Sequence, residues 1–488
     1  MNPEEKKIYL YNTKTKKKEK FNRSKDELIT LYTCGPTVYN YAHIGNLRAY
    51  MFEDLLKRTL KYFGYKVKHV MNITDVEDKI IKAVNETGED LKEYTEKYTK
   101  AFLEDIDTLN IERADVYPRA TEHIKEIVEV IKDLMDKGYA YRGEDGSIYY
   151  SVNKFKDYGQ LFEVDKDKLK KGVRINQDEY TKEYFGDFAL WKAWDEKDGK
   201  VYWETELGKG RPGWHIECTV MNFKHLGGVF ENGEYHPEKF RTIDIHCGGV
   251  DNIFPHHENE IAQAEPVVNK PFVNVWSHCE HLLVDGKKMS KSLGNFYTLR
   301  DLLKMGYSPR VIRYVLITKH YRQKLNFTFD ALKSAESSLE RIDNFLKFLE
   351  LKVDDKIKEF DKKFLDEMLE GFEDSIRDDL NISKAISYLF NIIKYYNQKD
   401  KISKQEKDYI IEILRKMDRI LGFIFWKEDK SSKDNLEISE EEINKLIQER
   451  SRYRKEKNFK KADEIRDYLK SKGIVLVDTP EGTKWYRE

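Results

Sequence analysis

The chain has 488 residues, of which 40% are hydrophobic and 36% charged, and its 87 basic and 88 acidic side chains leave a net charge of −1. That length suits roughly three domains, and near-neutrality excludes neither a nucleic-acid partner nor its absence, since a basic patch on one face would serve. Four cysteines (Cys34, Cys218, Cys247, Cys279) are too few for a disulfide framework, the start MNPEEKKIYL lacks the apolar run of a signal peptide, and no apolar stretch reaches membrane-spanning length; a cytoplasmic chain with reduced thiols and no membrane partner is expected.

In chain order, ELITLYT reads as a short strand ending at the Cys34-Gly35-Pro36 turn. NLRAYMFEDLLKRTLKYFG carries leucines at helical spacing and closes at Gly64, and KVKHVMNIT is a second strand. A crossover of this length makes a parallel βαβ unit, with a ligand crevice outside the carboxyl ends of its strands. Thr33-Cys34 and Thr74-Asp75 then line one crevice. AYRGEDGSIYYSV reads as a hairpin around Gly143–Gly146, opening an insertion that contains Trp191, Trp194 and Trp203. Apolar β-rich runs resume in IDIHCGG and FVNVWSHCEHLLV as the second half of the sheet. Beyond residue 330, Leu332, Ala335, Leu339, Ile342, Leu346 and Leu349 recur at helical steps. With DDLNISKAISYLFNIIKYY and EKDYIIEILRKMDRIL they predict an antiparallel helical bundle. KEDKSSKDNLE (427–437) is a polar linker. In the tail, Ser439 with Glu442 forms a capping box, FKKADEIRDYLKSKG is a second helix ended by Gly473, and IVLV and TKW are two small strands around DTPEG.

The expected architecture is therefore α/β: a Rossmann-like parallel-sheet catalytic domain with an inserted connective subdomain, then an α-helical bundle and a small α+β C-terminal module. The boundaries are 1–139 and 213–328 for the two halves of the catalytic domain, 140–212 for the insertion, 329–426 for the bundle, 427–438 for the linker and 439–488 for the tail.

Three constellations carry chemistry. His43-Ile44-Gly45-Asn46 opens the first helix, whose free N–H groups and dipole suit a phosphate, while Gly45 permits close approach. DGKKMSKSLGN (285–295) is a loop whose lysines suit charge building on phosphoryl oxygens. The third comprises WHIEC (214–218) and FPHHENE (254–260): Pro255 suits a first helical turn, and His256 and Glu260 then face the same way one turn apart. With thiolates from Cys34 and Cys218 they would make a Cys₂HisGlu set that suits zinc; the alternative is four separate core residues. A zinc-peptidase HExxH is excluded because position 261 is isoleucine.

The His-Ile-Gly helix start and the KMSKS loop, in that order, resemble class I aminoacyl-tRNA synthetases. With CGPTVYNYAHIGN, NITDVEDKI, GRPGWHIEC, FPHHENEIAQ, KKMSKSLGN and KADEIRDYL…GIVLVDTPEGTKW, the chain resembles the cysteinyl-tRNA synthetases over nearly its whole length. The resemblance implies activation of L-cysteine by ATP to cysteinyl-adenylate, then transfer to the 3′ end of tRNA-Cys. It implies one Zn²⁺ per subunit on Cys34, Cys218, His256 and Glu260, taking the substrate thiolate, and Mg²⁺ with ATP. It places ATP on His43, Gly45, Asn46 and Lys291, with Lys288 assisting, cysteine against Thr74, Trp214 and His246, and the anticodon against Arg454, Asp463, Asp478 and Trp485. A monomer is expected.

The chain departs from the family pattern at Asn46, where a second histidine is usual, and at Cys247 in His246-Cys247-Gly248-Gly249, a spare thiol near the crevice. Phe230–Arg241 reads as an added loop. His278-Cys279-Glu280-His281 could be a second metal site, but alternation along a strand sets His278 opposite Cys279 and argues against it. Two alternative functions stand beside the main one. A cysteine ligase of thiol-cofactor synthesis would not need residues 439–488, and a non-enzymatic zinc- and RNA-binding protein would not need His43, Lys288 and Lys291.

Overall fold

The parallel βαβ unit is present in the computed structural model, which describes residues 6–163, 169–175, 185–358, 360–426, 440–456, 458–471, 474–479 and 482–487. A hairpin, β1 (Tyr9–Asn12) and β2 (Lys17–Lys20), precedes it. Strand β3 (Leu28–Thr33) leads through α1 (Ile44–Tyr62) to β4 (Lys66–Met71), paired in parallel from Leu28↔Lys66 to Thr33↔Met71. Strand Ile243–Gly249 pairs with β3 and strand Val273–Cys279 lies beyond it, both parallel, completing a four-stranded sheet. Ile29, Leu31 and Tyr32 of β3 are all fully buried, so this strand reads as a continuous apolar run, as a sheet covered on both faces requires.

The insertion forms its own sheet of six strands. Its hairpin pairs Ala140–Arg142 with Ile148–Tyr150, and Gly146 has φ +83°. Trp191 is fully buried there. The Phe230–Arg241 stretch contains a two-stranded hairpin, Phe230–Glu231 against Glu234–Tyr235.

Beyond the sheet, helix Phe329–Leu351 buries Leu332, Ala335, Leu339, Ile342 and Leu349 as expected. Phe345 takes the buried place that the spacing assigned to Leu346, which is only half-buried, because the larger ring completes the stripe. Helices Ile382–Tyr396 and Lys404–Leu421 follow the sequence reading, and Lys362–Arg377 adds one it did not separate. Arg313 joins this region to a buried carboxylate of α1, its Nε donating to Leu421 O (3.0 Å). Asp54 accepts from Arg58 Nε (2.9 Å), Arg313 Nη2 (2.9 Å) and the Glu112 amide (2.9 Å). Burial works against its charge, but the two guanidinium groups outweigh it and hold the carboxyl below its usual range.

The chain divides into two compact units, Met1–Phe425 and Trp426–Glu488. In the second, helices Glu440–Lys455 and Phe459–Ser471 and an antiparallel pair, Ile474–Thr479 with Gly482–Arg487, enclose a small core of Ile443, Leu469 and Ile474. Ser439, the linker 427–437 and Gly473 lie outside the described residues.

Candidate active site at the carboxyl edge of the sheet

The carboxyl ends of the strands open into a cleft of about 580 Å³. Its lining includes Cys34, His43, Gly45, Asn46, Thr74, Trp214, Cys218, His256 and Lys288. The loop after β3 is strapped to the exit of β4. The Gly35 amide donates to Asn72 Oδ1 (3.0 Å) and the Val38 amide to Thr74 O (3.1 Å). A Cβ on Gly35 would lie 1.8 Å from the Asn72 carbonyl oxygen, so only glycine allows this approach. Thr74 accepts from Asn72 Nδ2 (3.1 Å) and is not a helix cap; Glu77 caps the next helix, α2 (Asp78–Thr87).

At one end of the cleft, His43 caps α1. Its Nδ1 accepts from the Gly45 and Asn46 amides (3.1 and 3.2 Å), and Asn46 Oδ1 accepts from the His43 amide (3.2 Å). Burial lowers the His43 pKa to about 4, so the ring is neutral at pH 7. An accepting Nδ1 in a neutral ring leaves the proton on Nε2, as a donor. Asn46 performs the reciprocal half of a capping box, which explains why asparagine serves at this position. Gly45 is tightly overlaid: a Cβ there would be 2.8 Å from Met289 Cε. Met289 belongs to the lysine loop, whose hairpin pairs Leu282–Val284 with Lys287–Lys288. The two motifs are joined by backbone, because the Ile44 amide donates to Tyr297 O (2.9 Å). Lys288 is exposed and lines the cleft; the Lys291 backbone opens a short turn, and its side chain lies outside the described residues.

At the other end, ligand atoms of Cys34, Cys218, His256 and Glu260 lie within 4.8 Å of one another. Cys34 directly follows β3, Cys218 comes from helix Trp214–Asn222, and His256 and Glu260 flank the start of helix Glu258–Val268. Pro255 does not open this helix. It follows a cis bond from Phe254 in an irregular turn, and the regular helix starts at Glu258. The pair still meets, with His256 Nε2 3.1 Å from Glu260 Oε1.

The residues fit a zinc ion. Glu260 Oε1 is buried and makes no hydrogen bond. Burial, with Cys218 adding to it, pushes the Glu260 carboxyl well up. A hydrogen bond between the two thiols pushes Cys34 up and draws Cys218 down. Four donors converge in a desolvated space, and two thiolates, an imidazole and a carboxylate match zinc's preferences.

A cage of further histidines surrounds this quartet. His246 Nε2 lies 3.1 Å from Glu260 Oε2, and its ring stacks on Trp276 (4.7 Å). His257 Nε2 lies 3.2 Å from Cys34 Sγ, while its Nδ1 meets His278 Nε2 at 2.7 Å. His215 Nδ1 lies 2.9 Å from His256 Nδ1. Burial lowers the pKa of each of these surrounding rings. Cys34, His246, His257 and Glu260 form a second cluster within the same limits, but each of its histidines already orients a member of the first.

Of the three residues expected around the amino acid, two line the cleft. Trp214 stacks over His256 (centroids 4.3 Å, 24°), and Thr74 lines the cleft. His246 instead sits fully buried behind Glu260, because strand alternation turns it under the cleft floor. Cys247 is buried outside both clusters, and its carbonyl accepts from the Cys34 amide (3.2 Å). Among the described residues, neither Cys279 nor His278 nor His281 joins a metal-competent cluster. Sequence reading missed His215, His257 and His278 as a set; the doubled histidine of FPHHENE was the signal available. In the second unit, Arg454 and Asp463 are exposed, Asp463 lying 3.0 Å from Arg466. Asp478 and Trp485 sit in its two strands, with side chains outside the described residues.

Residues 20–337 match the model of the class I (C) tRNA synthetase catalytic domain, 371–425 a DALR domain, and 439–485 the cysteinyl-tRNA ligase anticodon binding domain. The chain is 50% identical over 487 residues to a cysteine-tRNA ligase of Brachyspira hyodysenteriae, covering 99% of each. It is 47% identical over 487 residues to that of Chlamydia felis, covering 98% of this chain and 97% of the other. In fold it is similar to the methionyl-tRNA synthetase of Mycobacterium tuberculosis in complex with methionyl-adenylate (TM-score 0.59, 14% identity, 82% of this chain and 88% of that one).

Proposed function

The chain belongs to the cysteine-tRNA ligases, class I aminoacyl-tRNA synthetases, and we propose that its cleft performs both halves of their reaction. The carboxylate of L-cysteine attacks the α-phosphorus of ATP, releasing pyrophosphate and leaving cysteinyl-adenylate. A ribose hydroxyl at the 3′ end of tRNA-Cys then takes the cysteinyl group and AMP departs.

The observation that carries this reading is the buried Cys34, Cys218, His256 and Glu260 quartet at one end of a cleft whose other end is the His43 cap and the lysine loop. Zinc held by these four would supply a soft Lewis acid that prefers a thiolate to a hydroxyl and lowers a thiol's pKa. His246 steadies Glu260, and His257 steadies Cys34. Trp214 and Thr74 close around the amino acid. Neutral His43 donates from Nε2 to the nucleotide's phosphates, which arrive with Mg²⁺, and the α1 N-terminus adds its dipole. Lys291, assisted by Lys288, neutralises charge building on the α-phosphoryl oxygens.

The domain boundaries given above apply, with the bundle at 329–426 contacting tRNA and 439–488 reading its anticodon through Arg454, Asp463, Asp478 and Trp485. The anticodon-domain match at 439–485 supports this and disfavours the thiol-cofactor ligase. A cytoplasmic monomer completes the proposal; four thiols that form no disulfide are in keeping with a reducing compartment, and no described helix is long and apolar enough to cross a membrane. The test is charging of tRNA with a GCA anticodon, alongside cysteine-dependent ATP–pyrophosphate exchange, with serine as control. Cysteine-only activity in both assays is expected. Exchange without charging would overturn the tRNA half, and serine accepted as well as cysteine would overturn the metal's role.

A further inference from the structure

One wall of the cleft has no part in cysteine activation as described. Of the large hydrophobic side chains exposed on the described surface, Tyr41 is the one that lines the cleft, with 37% of its surface open. It stands edge-on to Tyr98 (5.3 Å, 78°) on helix α3 (Leu91–Thr108), and Tyr98 tilts against Tyr94 (5.1 Å). Tyr94 Oη donates to Tyr39 O (2.8 Å), which ties α3 to the loop that precedes α1. Tyr41 and Tyr98 thus form an aromatic ledge, with Tyr39 held beside it through its backbone, and all three line the cleft.

Cations lie over these rings. Lys79 Nζ is 5.6 Å from the Tyr39 centroid, Lys97 Nζ 5.2 Å from that of Tyr98, and Arg300 Cζ 5.0 Å from that of Tyr41. Arg300 is neutralised by Glu104 (2.8 Å) and Asp105 (3.4 Å). Lys79 and Lys97 form no ion pair among the described residues, so their charge remains available. A single exposed tyrosine would need no explanation. Connected aromatic rings with unpaired lysines at their faces, opening on a reactive cleft, are the combination that binds single-stranded nucleic acid: rings stack on bases and lysines meet phosphates.

ATP needs no such length of surface, since it brings one base and its phosphates have the α1 cap and the lysine loop. A flexible RNA end does need one, because its terminal hydroxyl must be guided to the adenylate. We infer that the Tyr41–Tyr98 ledge, with Tyr39, Lys79 and Lys97, receives the unpaired 3′ nucleotides of the tRNA and positions the terminal ribose. This rests on the tRNA-charging reading above. Stacking tolerates any base, so the ledge orients the strand without reading its sequence.

Four measurements on the full-length, metal-loaded enzyme test it. Tyr41→Ala should cut transfer to tRNA by about 5- to 150-fold, the range for loss of one base–aromatic stack, while ATP–pyrophosphate exchange stays within about twofold of wild type. Tyr41→Trp should restore transfer, which a purely structural role for the phenol would not predict. Wild type and Tyr41→Ala should bind equally to tRNA trimmed of its unpaired 3′ nucleotides, yet differ on intact tRNA. Lys97→Gln should lower the salt dependence of intact-tRNA binding. An equal fall in exchange and transfer, or an unchanged affinity for intact tRNA, would overturn the inference. Wild-type enzyme that exchanges but binds and charges no tRNA would instead overturn the reading on which it rests.

Discussion

The two ends of the cleft are built by opposite means. At the end proposed for the metal, Cys218, His256 and Glu260 are at most 1% exposed and are held by a cage of histidines from separate elements. At the end proposed for the nucleotide, a helix cap and a short hairpin present polar groups and exposed lysines to open solvent. Discriminating sulfur from oxygen is a ground-state problem: donors must be fixed and dry, because any freedom to rearrange would let the hydroxyl be accommodated. Stabilising a transition state asks for charge that strengthens as the reaction proceeds, and exposed lysines on a short hairpin can supply it.

Substitutions at either end should therefore fail differently. The largest effect expected is for Lys291→Ala, which should slow ATP–pyrophosphate exchange by ~10²–10³-fold, the usual cost of losing one transition-state donor. Metal content by atomic emission should stay at the wild-type level; a loss of metal would join the two ends and break the comparison. Next, Cys218→Ser should reduce bound metal below one equivalent and drop the preference for cysteine over serine to no more than the ~10–200-fold that pocket shape alone provides. That ratio is read from kcat/KM in exchange. Smaller again, His246→Ala should weaken metal binding by ~10–100-fold, as removing the partner of a metal ligand does, with the KM for ATP unchanged.

The smallest effect is on acid stability. Burial lowers His43 to about 4 and His69 to about 3. Both pKa values are depressed, so below pH 6.5 the unfolded chain takes up protons that the folded chain refuses. Their contribution is intact above pH 6.5 and is lost as pH falls toward 4, by ~1.4 kcal/mol per pH unit for each fully buried ring and less for half-buried His43. Urea midpoints between pH 7 and pH 4.5 measure this. Over pH 5.5–8 the KM for ATP should show no inflection from His43, which stays neutral throughout; an inflection near 6.5 would contradict the buried cap.

Much of this division was legible in the sequence because its parts are local. The β3–α1–β4 unit, the His43–Asn46 helix start and the lysine hairpin each lie within one short segment whose spacing betrays its structure. The quartet was legible for a second reason: thiols, imidazole and carboxylate are rare enough together to suggest their meeting across elements. The cage was not, since His215, His246, His257 and His278 come from four separate stretches that only the fold brings together, the register of Ile243–Gly249 beside Val273–Cys279 setting His246 and His278 on neighbouring strands. That register also moves His246 from the expected pocket wall to a place beneath Glu260. Asp379 and Leu380 were equally hidden. Both adopt positive φ (+57° and +54°), a conformation their side chains do not advertise, because Asp379 must accept from Tyr321 Oη (2.6 Å), Arg322 Nε (2.7 Å) and the Tyr11 amide (2.8 Å).

The central claim is that the buried quartet reads the substrate's sulfur directly. Cobalt(II) in place of zinc makes that contact visible, because each thiolate on the ion adds near-ultraviolet charge-transfer intensity. Titrating the cobalt-loaded protein with L-cysteine should raise that band by one further thiolate, and L-serine should leave it unchanged. Saturable cysteine binding with no change in the band would contradict the account.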